Sequence, residues 1–340
     1  MIMVILGAGA SYDSIPSRPP PSAEAGLTNG RPPLAAQLFS SHHLSEGFLS
    51  SFPRCHPIIP YLQTIPSNSS VEHMLETLQA EGDTDPERKC QIAAIRCYLQ
   101  FLISECERQW IPTSRGITNY VTLLDQLRRT DDSVLLVTFN YDRLIEKAFA
   151  SLKISITDLP DYISNHKVKL IKLHGSVNWA REVETEVDKV GERNVWDVMN
   201  ELIERAGELR VSNRFRIIDQ HPIGSANGLP LVPAIAIPVE TKTDFECPEN
   251  HLDCLREMVR GITKVLIIGW RGAENHFLRL LREAGLGEVS AQIVADKREN
   301  AEEVLQRLKD AGLSIDGNPM EDTGFTPYVI SRKAEHFLAN

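Results

Sequence analysis

Residues 1–14, "MIMVILGAGASYDS", begin with an aliphatic run and then break into Gly-Ala-Gly-Ala-Ser. The run reads as a strand and the break as a loop with bare backbone. Gly7 and Gly9 permit φ > 0 and close approach, so the N–H groups of residues 8–11 could face a phosphate. A tight turn in any α/β protein satisfies the same letters, and on this stretch alone the two readings stand level. What surrounds the loop has to separate them.

Four further runs resemble the first: "SVLLVTFN" (133–140), "KLIKLHG" (169–175), "KVLIIGW" (264–270) and "AQIVAD" (291–296). They are continuously apolar rather than alternating, as expected of strands covered on both faces of a parallel sheet. Helical periodicity falls between them, at 71–80, 88–109, 117–129, 142–151, 248–260, 274–284 and 299–312. The alternation predicts an α/β protein, a Rossmann-like open parallel sheet flanked by helices. Ligands of such sheets bind outside the carboxyl ends of the strands.

Two stretches interrupt the rhythm. Residues 15–33, "IPSRPPPSAEAGLTNGRPP", are rich in Pro, Gly and Ser and read as a loop that could act as a lid. With the helices that follow, the span 15–130 reads as a loop plus helical insertion. Residues 181–232 carry a charged segment, a helix near 195–208, "RFRIID" and a turn at "GSANGLP"; this reads as an inserted segment or small subdomain. The domain expectation is one α/β unit over 1–340 with these two additions.

Composition narrows the function classes. The chain has 340 residues, 42% hydrophobic and 24% charged, with a formal net charge of −10. Such an acidic balance disfavours nucleic-acid binding driven by phosphate neutralisation, and it suits an enzyme acting on a small molecule or a subunit of an assembly. The six cysteines show no C-x-x-C pair, so no zinc ribbon and no metal are expected. No apolar run approaches the roughly 20 residues of a membrane span, and no signal-peptide pattern precedes the first strand. No membrane association and a cytoplasmic location are the expectations.

Chemistry gathers at the strand ends. Asn140 and Asp142 follow the second run, where either could cap the next helix and the other would face the crevice. His174 ends the third run beside Gly175. A lone His is more often structural, yet imidazole at that edge can take a proton from a hydroxyl or water. Gly269 and Trp270 end the fourth run and Asp296 the fifth; an exposed loop carboxylate is the plainer reading of the latter. A plain Rossmann dehydrogenase is disfavoured, because position 12 is Tyr where a third Gly is wanted and no short β-α-β unit follows.

"GAGAS", "TFNYD", "KLHGS" and "LIIGW", in this order and spacing, resemble the sirtuin-like NAD+-hydrolase family of prokaryotes, found largely in anti-phage defence. The resemblance covers scattered motifs over about residues 1–300. It implies NAD+ as substrate in a Rossmann-like fold, with Gly7, Ala8, Gly9, Ala10 and Ser11 matching the loop that holds the phosphates. Asn140 and His174 match the catalytic Asn and His. Asp142 matches the acidic residue near the nicotinamide pocket, Gly269 the glycine of a Gly-Thr-Ser strand end, and Asp296 an Asn beside the adenosine ribose. Deacylase sirtuins carry a four-cysteine zinc ribbon that this chain lacks, and Trp270 and Arg271 stand in place of Thr-Ser. These departures favour water as the acceptor and a regulated NAD+-depleting hydrolase. An NAD+-dependent deacylase, an ADP-ribosyltransferase or a non-catalytic NAD+ or ADP-ribose sensor are the alternatives. The resemblance further suggests control by homo-oligomerisation or by a separate partner, such as a nucleic-acid-dependent ATPase or an Argonaute-like protein.

Overall fold

A computed structural model of the chain describes residues 1–21, 30–39, 49–64, 70–82, 84–239, 245–317 and 319–339. The five continuously apolar runs form the centre of a parallel sheet. They are β1 (Ile2–Leu6), β2 (Val134–Thr138), β3 (Val168–Lys172), β8 (Lys264–Ile268) and β9 (Val289–Val294). The four strands between, β4 (Gly175–Val183), β5 (Val211–Ile217), β6 (Ser225–Ala226) and β7 (Leu229–Ile235), build a separate antiparallel sheet ordered β5-β4-β7-β6. Short strands β10 (Ile315–Asp316) and β11 (Met320–Glu321) both pair with β9 and complete the main sheet, which runs β10-β9-β8-β1-β2-β3 with β11 off this path.

Apolar residues on both faces of each strand require cover on both sides, and alternate residues of one strand enter different cores. Ile2, Val4 and Leu6 of β1 pack with the helices Asn119–Arg128 and Leu144–Ser151. Met3 and Ile5 pack with the helices Glu249–Val259, Asn275–Glu283 and Arg298–Asp310. A third core joins the helix Val71–Glu81 and the long helix Pro86–Ser114 to the small sheet through Val177 and Ile235.

The strand order sets the site. From β1 the sheet grows one way through β2 and β3, and the other way through β8, β9 and β10. The order reverses between β1 and β8, which are in register from Ile2↔Lys264 to Leu6↔Ile268. Such a reversal leaves a crevice beyond the carboxyl ends of the two strands, where connections part to opposite faces. This is the doubly wound, Rossmann-like arrangement expected from the sequence.

The small sheet begins at Gly175 and ends at Ile235, wider than the expected insertion at 181–232. The expected lid at 15–33 lies partly outside the described residues, at 22–29. Its described flanks converge on Arg31, whose guanidinium donates to the carbonyl oxygens of Tyr12, Arg18 (2.9 Å) and Pro19 (3.0 Å) and lies 4.7 Å from the Trp110 ring centroid.

Candidate active site

Two glycine loops meet across the point of reversal. Gly7 N donates to Ile268 O at 3.1 Å and Gly9 N to Gly269 O at 3.0 Å. A Cβ on Gly7 would lie 2.5 Å from Gly269 O, and one on Gly269, whose φ is +61°, would lie 2.3 Å from Ala10 N. Both positions demand glycine because backbone meets backbone there. The loop's donors are partly consumed by this contact: Gly9 N goes to Gly269, and Ala10 N to Gly7 O at 2.9 Å. The expectation that N–H groups over 8–11 face a phosphate therefore narrows, with Ala8 the exposed residue of the loop and Gly9 half-buried. Ser11 is buried and its hydroxyl turns inward to Tyr120 Oη at 2.9 Å.

Asn140 and His174 leave adjacent parallel strands at one level. Thr138 pairs with Lys172, and each candidate residue lies two positions further on. Neighbouring strands are about 4.8 Å apart, so the two backbones emerge side by side. The following segments are tied together: Val177 N and Ser176 Oγ donate to Tyr141 O at 2.9 and 3.3 Å. His174 packs edge-on to Phe139, ring centroids 4.9 Å apart, and face-to-face with Tyr141 at 6.1 Å. Gly175 has φ +78°, and a Cβ there would lie 1.9 Å from Ala234 O, so the turn after His174 tolerates no larger residue.

The Asn140 side chain is fixed by its donors. Nδ2 gives hydrogen bonds to Gly7 O and Ser11 Oγ, both at 2.9 Å, and to Tyr120 Oη at 3.3 Å. These acceptors dictate which way round the amide sits. Oδ1 is thereby left buried with no hydrogen-bond partner among the described residues. A buried acceptor of this kind costs free energy until a donor reaches it.

Asp142 takes the capping role that the sequence left open between it and Asn140. Its Oδ1 accepts from Leu144 N at 3.1 Å, at the start of the helix Leu144–Ser151. Burial pushes its carboxyl up to about 6, against the opposing pull of the Lys172 ammonium and the Ser11 hydroxyl. Lys172 is fully buried; its Nζ donates to Asp142 O and to Glu146 Oε1, the latter at 2.9 Å. Tyr162 Oη donates to the same Glu146 oxygen at 2.9 Å. A second brace comes from Glu107 of the long helix, which accepts from Arg143 N at 2.6 Å and from Arg143 Nε at 2.8 Å.

The remaining candidates divide. Trp270 turns its side chain into the core, stacked on Phe139 at 5.3 Å and 5° and bonded through Nε1 to Glu274 at 2.6 Å. Its Cα and Cβ adjoin Gly7 of the glycine loop. Asp296 is exposed beyond β9 and accepts from Asn300 Nδ2 at 2.6 Å. Among the described residues no group of three or more His, Cys, Asp or Glu could hold a metal, and no helix is long and apolar enough to cross a membrane.

Tyr120, Lys172, Glu146 and Glu107 were not singled out from the sequence. Lys172 carried a signal, since a lysine inside "KLIKLHG" must be paired if the strand is covered on both faces. Tyr120 carried none: a tyrosine in an amphipathic helix reads as ordinary core.

Residues 134–215 match the family described as a SIR2-like domain, a segment that includes Asn140, Asp142 and His174. Among solved structures, similarity extends to a mutant Sir2 homologue in complex with ADP-ribose, at 13% identity over 98% of this chain and 93% of that one, with a TM-score of 0.40. It extends also to a Sir2 homologue–NAD complex, at 14% identity over 98% of this chain and 90% of that one, with a TM-score of 0.38. No curated protein matches the chain.

Proposed function

We propose that the chain is an NAD+ glycohydrolase that cleaves the nicotinamide–ribose bond. The observation that carries this reading is the placement of Asn140 and His174 at one level of the sheet edge, with Asn140 Oδ1 a buried acceptor unsatisfied among the described residues. The family match over this segment supports it, as does the crevice at the strand-order reversal.

The chemistry asks little covalent work of the protein. Nicotinamide leaves a cationic glycosyl centre as a neutral molecule, so the bond from its nitrogen to the ribose C1′ breaks with the electron pair staying on nitrogen. Water then forms the new C1′–O bond and gives up a proton. Asn140 Oδ1, an acceptor only, receives a hydrogen bond from a ribose hydroxyl or from that water and so orients it. His174 takes the proton as general base, a contribution of about 10²–10⁴-fold. Asp142 positions the nicotinamide carboxamide, and the exposed end of the glycine loop at Ala8 meets the diphosphate. The products are nicotinamide and ADP-ribose, or a cyclic ADP-ribose when the adenine is the nucleophile.

A deacylase or ADP-ribosyltransferase shares every step up to the acceptor. Chromatography of the purified protein incubated with NAD+ separates the readings. The account predicts nicotinamide release without an acetyl-lysine peptide, lost in Asn140→Ala and His174→Ala while their circular dichroism is unchanged. Release that depends on the peptide would favour the deacylase. Undiminished release by both variants would remove these residues from the mechanism. As regulator of such an activity we propose self-association or a separate partner, an ATPase or Argonaute-like protein being the kinds suggested by the sequence resemblance.

A further inference from the structure

The crevice has two sides, and the proposed reaction occupies one of them. Asn140 and His174 stand beyond β2 and β3, on one side of β1. With the nicotinamide ribose there and the diphosphate at Ala8, the adenosine half falls on the other side, over β8 and β9. Backbone hydrogen bonds lead that way in two steps: Gly9 N donates to Gly269 O at 3.0 Å, and Gly269 N donates to Val294 O at 3.1 Å. Two residues beyond Val294 stands Asp296, the first carboxylate past the end of β9. The chain just before it is pinned on both sides, since Ala295 N donates to Glu321 O at 2.9 Å and Ala295 O accepts from Gly324 N at 2.8 Å. The Asp296 side chain is exposed, and its hydrogen-bond partner among the described residues is the neutral amide of Asn300, at 2.6 Å. The arginines of the helix that follows bind carboxylates of that same helix: Arg298 pairs with Glu302 at 2.9 Å, and Arg307 with Glu303. Asp296 is thus steadied by an amide rather than by a cation.

We propose that Asp296 selects the unphosphorylated dinucleotide, accepting hydrogen bonds from the adenosine ribose hydroxyls and turning away the 2′-phosphorylated form, NADP+. This rests on the NAD+ reading above and adds which dinucleotide the site admits. A carboxylate only accepts, and a ribose offers two adjacent hydroxyl donors, so the two match. A phosphate at the 2′ position removes one of those donors and sets like charge against the carboxylate. In α/β folds an acidic residue past a strand end serves the ribose 2′-hydroxyl in this way, and an arginine nearby accommodates the 2′-phosphate. A neutral amide at this position would keep an acceptor and lose the repulsion, so the charge is what excludes. Because the carboxylate is exposed, its repulsion is screened, and the preference weakens as salt is raised.

Titration calorimetry of the full chain with ADP-ribose and with ADP-ribose 2′-phosphate reads the preference without depending on turnover. Saturable ADP-ribose binding is expected, with the 2′-phosphate weaker by about ten- to a hundredfold at low salt, the scale of one like-charge contact and one lost charge-assisted hydrogen bond. Asp296→Asn should bring the two ligands close together, and Asp296→Arg should reverse their order. Equal affinity of the two for the wild-type protein would overturn the proposal. So would an Asp296→Asn variant that keeps the full preference, or a failure of ADP-ribose to bind. Nicotinamide release separates this selectivity from the reaction itself. Equal release from NAD+ and NADP+ would overturn the selectivity and leave the hydrolase standing, whereas selective binding with no release would do the reverse. The comparison within the wild-type protein needs no variant to fold.

Discussion

The carboxyl group of Asp142 is held in a dry setting next to Lys172, Glu107 and Ser11, and its ionisation there is costly. The sign of the consequence is fixed by where the two states release the proton. In the unfolded chain this happens near 3.8 and in the folded protein near 6, so between those values the unfolded state sheds its proton first and stability falls as pH rises. Above pH 6 the full penalty is present; below 3.8 it is absent. Asp142→Asn should therefore be more stable than the wild-type chain at pH 7, by on the order of 3 kcal/mol, the attraction to Lys172 being already contained in that shift. The advantage should shrink toward zero at pH 4. Denaturant unfolding at several pH values reads this, and an advantage that grows on acidification would contradict it. Asn140 is governed by its surroundings in another way: three acceptors for Nδ2 leave Oδ1 buried with no hydrogen-bond partner among the described residues.

Between elements, β3 and the helix Leu144–Ser151 are stapled by the buried pair Lys172–Glu146. Removing one partner of such a pair strands the other charge, whereas removing both is far milder. Lys172→Met should cost about 3–5 kcal/mol in unfolding free energy, and the double variant Lys172→Met with Glu146→Leu should recover much of it. A double variant no more stable than the single would show that the pair is not what binds these elements. The elements also divide by how well the sequence announces them. The five long strands of the main sheet were legible because each is covered on both faces and reads as a mostly aliphatic run, with the few polar residues, such as Lys172 of β3, too scattered to set up an alternation. The small sheet was not. β5, "VSNRFRI", is an edge strand whose polar residues hide any alternation, with Arg214 and Arg216 both paired to Glu182. β7, "LPLVPAI", contains Pro230 and Pro233, which read as loop because proline cannot donate to a ladder. The two positive-φ residues Asn227 and Gly228 between β6 and β7 were the one clear turn signal there.

Across the molecule, long excursions from the sheet separate in sequence what the fold brings together. Residues 7–133 intervene between β1 and β2, and 173–263 between β3 and β8, yet Gly7, Asn140 and Gly269 end up at one edge. The motifs at the strand ends were visible in the sequence, because the carboxyl ends of parallel strands are where such folds put their chemistry. Their connections were not, since Ser11, Tyr120 and Asn140 form one hydrogen-bonded cluster from residues up to 129 apart. The central claim concerns this edge, and a crystal structure of the His174→Ala variant grown with NAD+ tests it most directly. The account predicts the nicotinamide ribose beside residue 174 with a hydroxyl or ordered water donating to Asn140 Oδ1, and the diphosphate at Ala8. NAD+ bound elsewhere on the chain, or Asn140 Oδ1 turned away from a bound ribose, would contradict it.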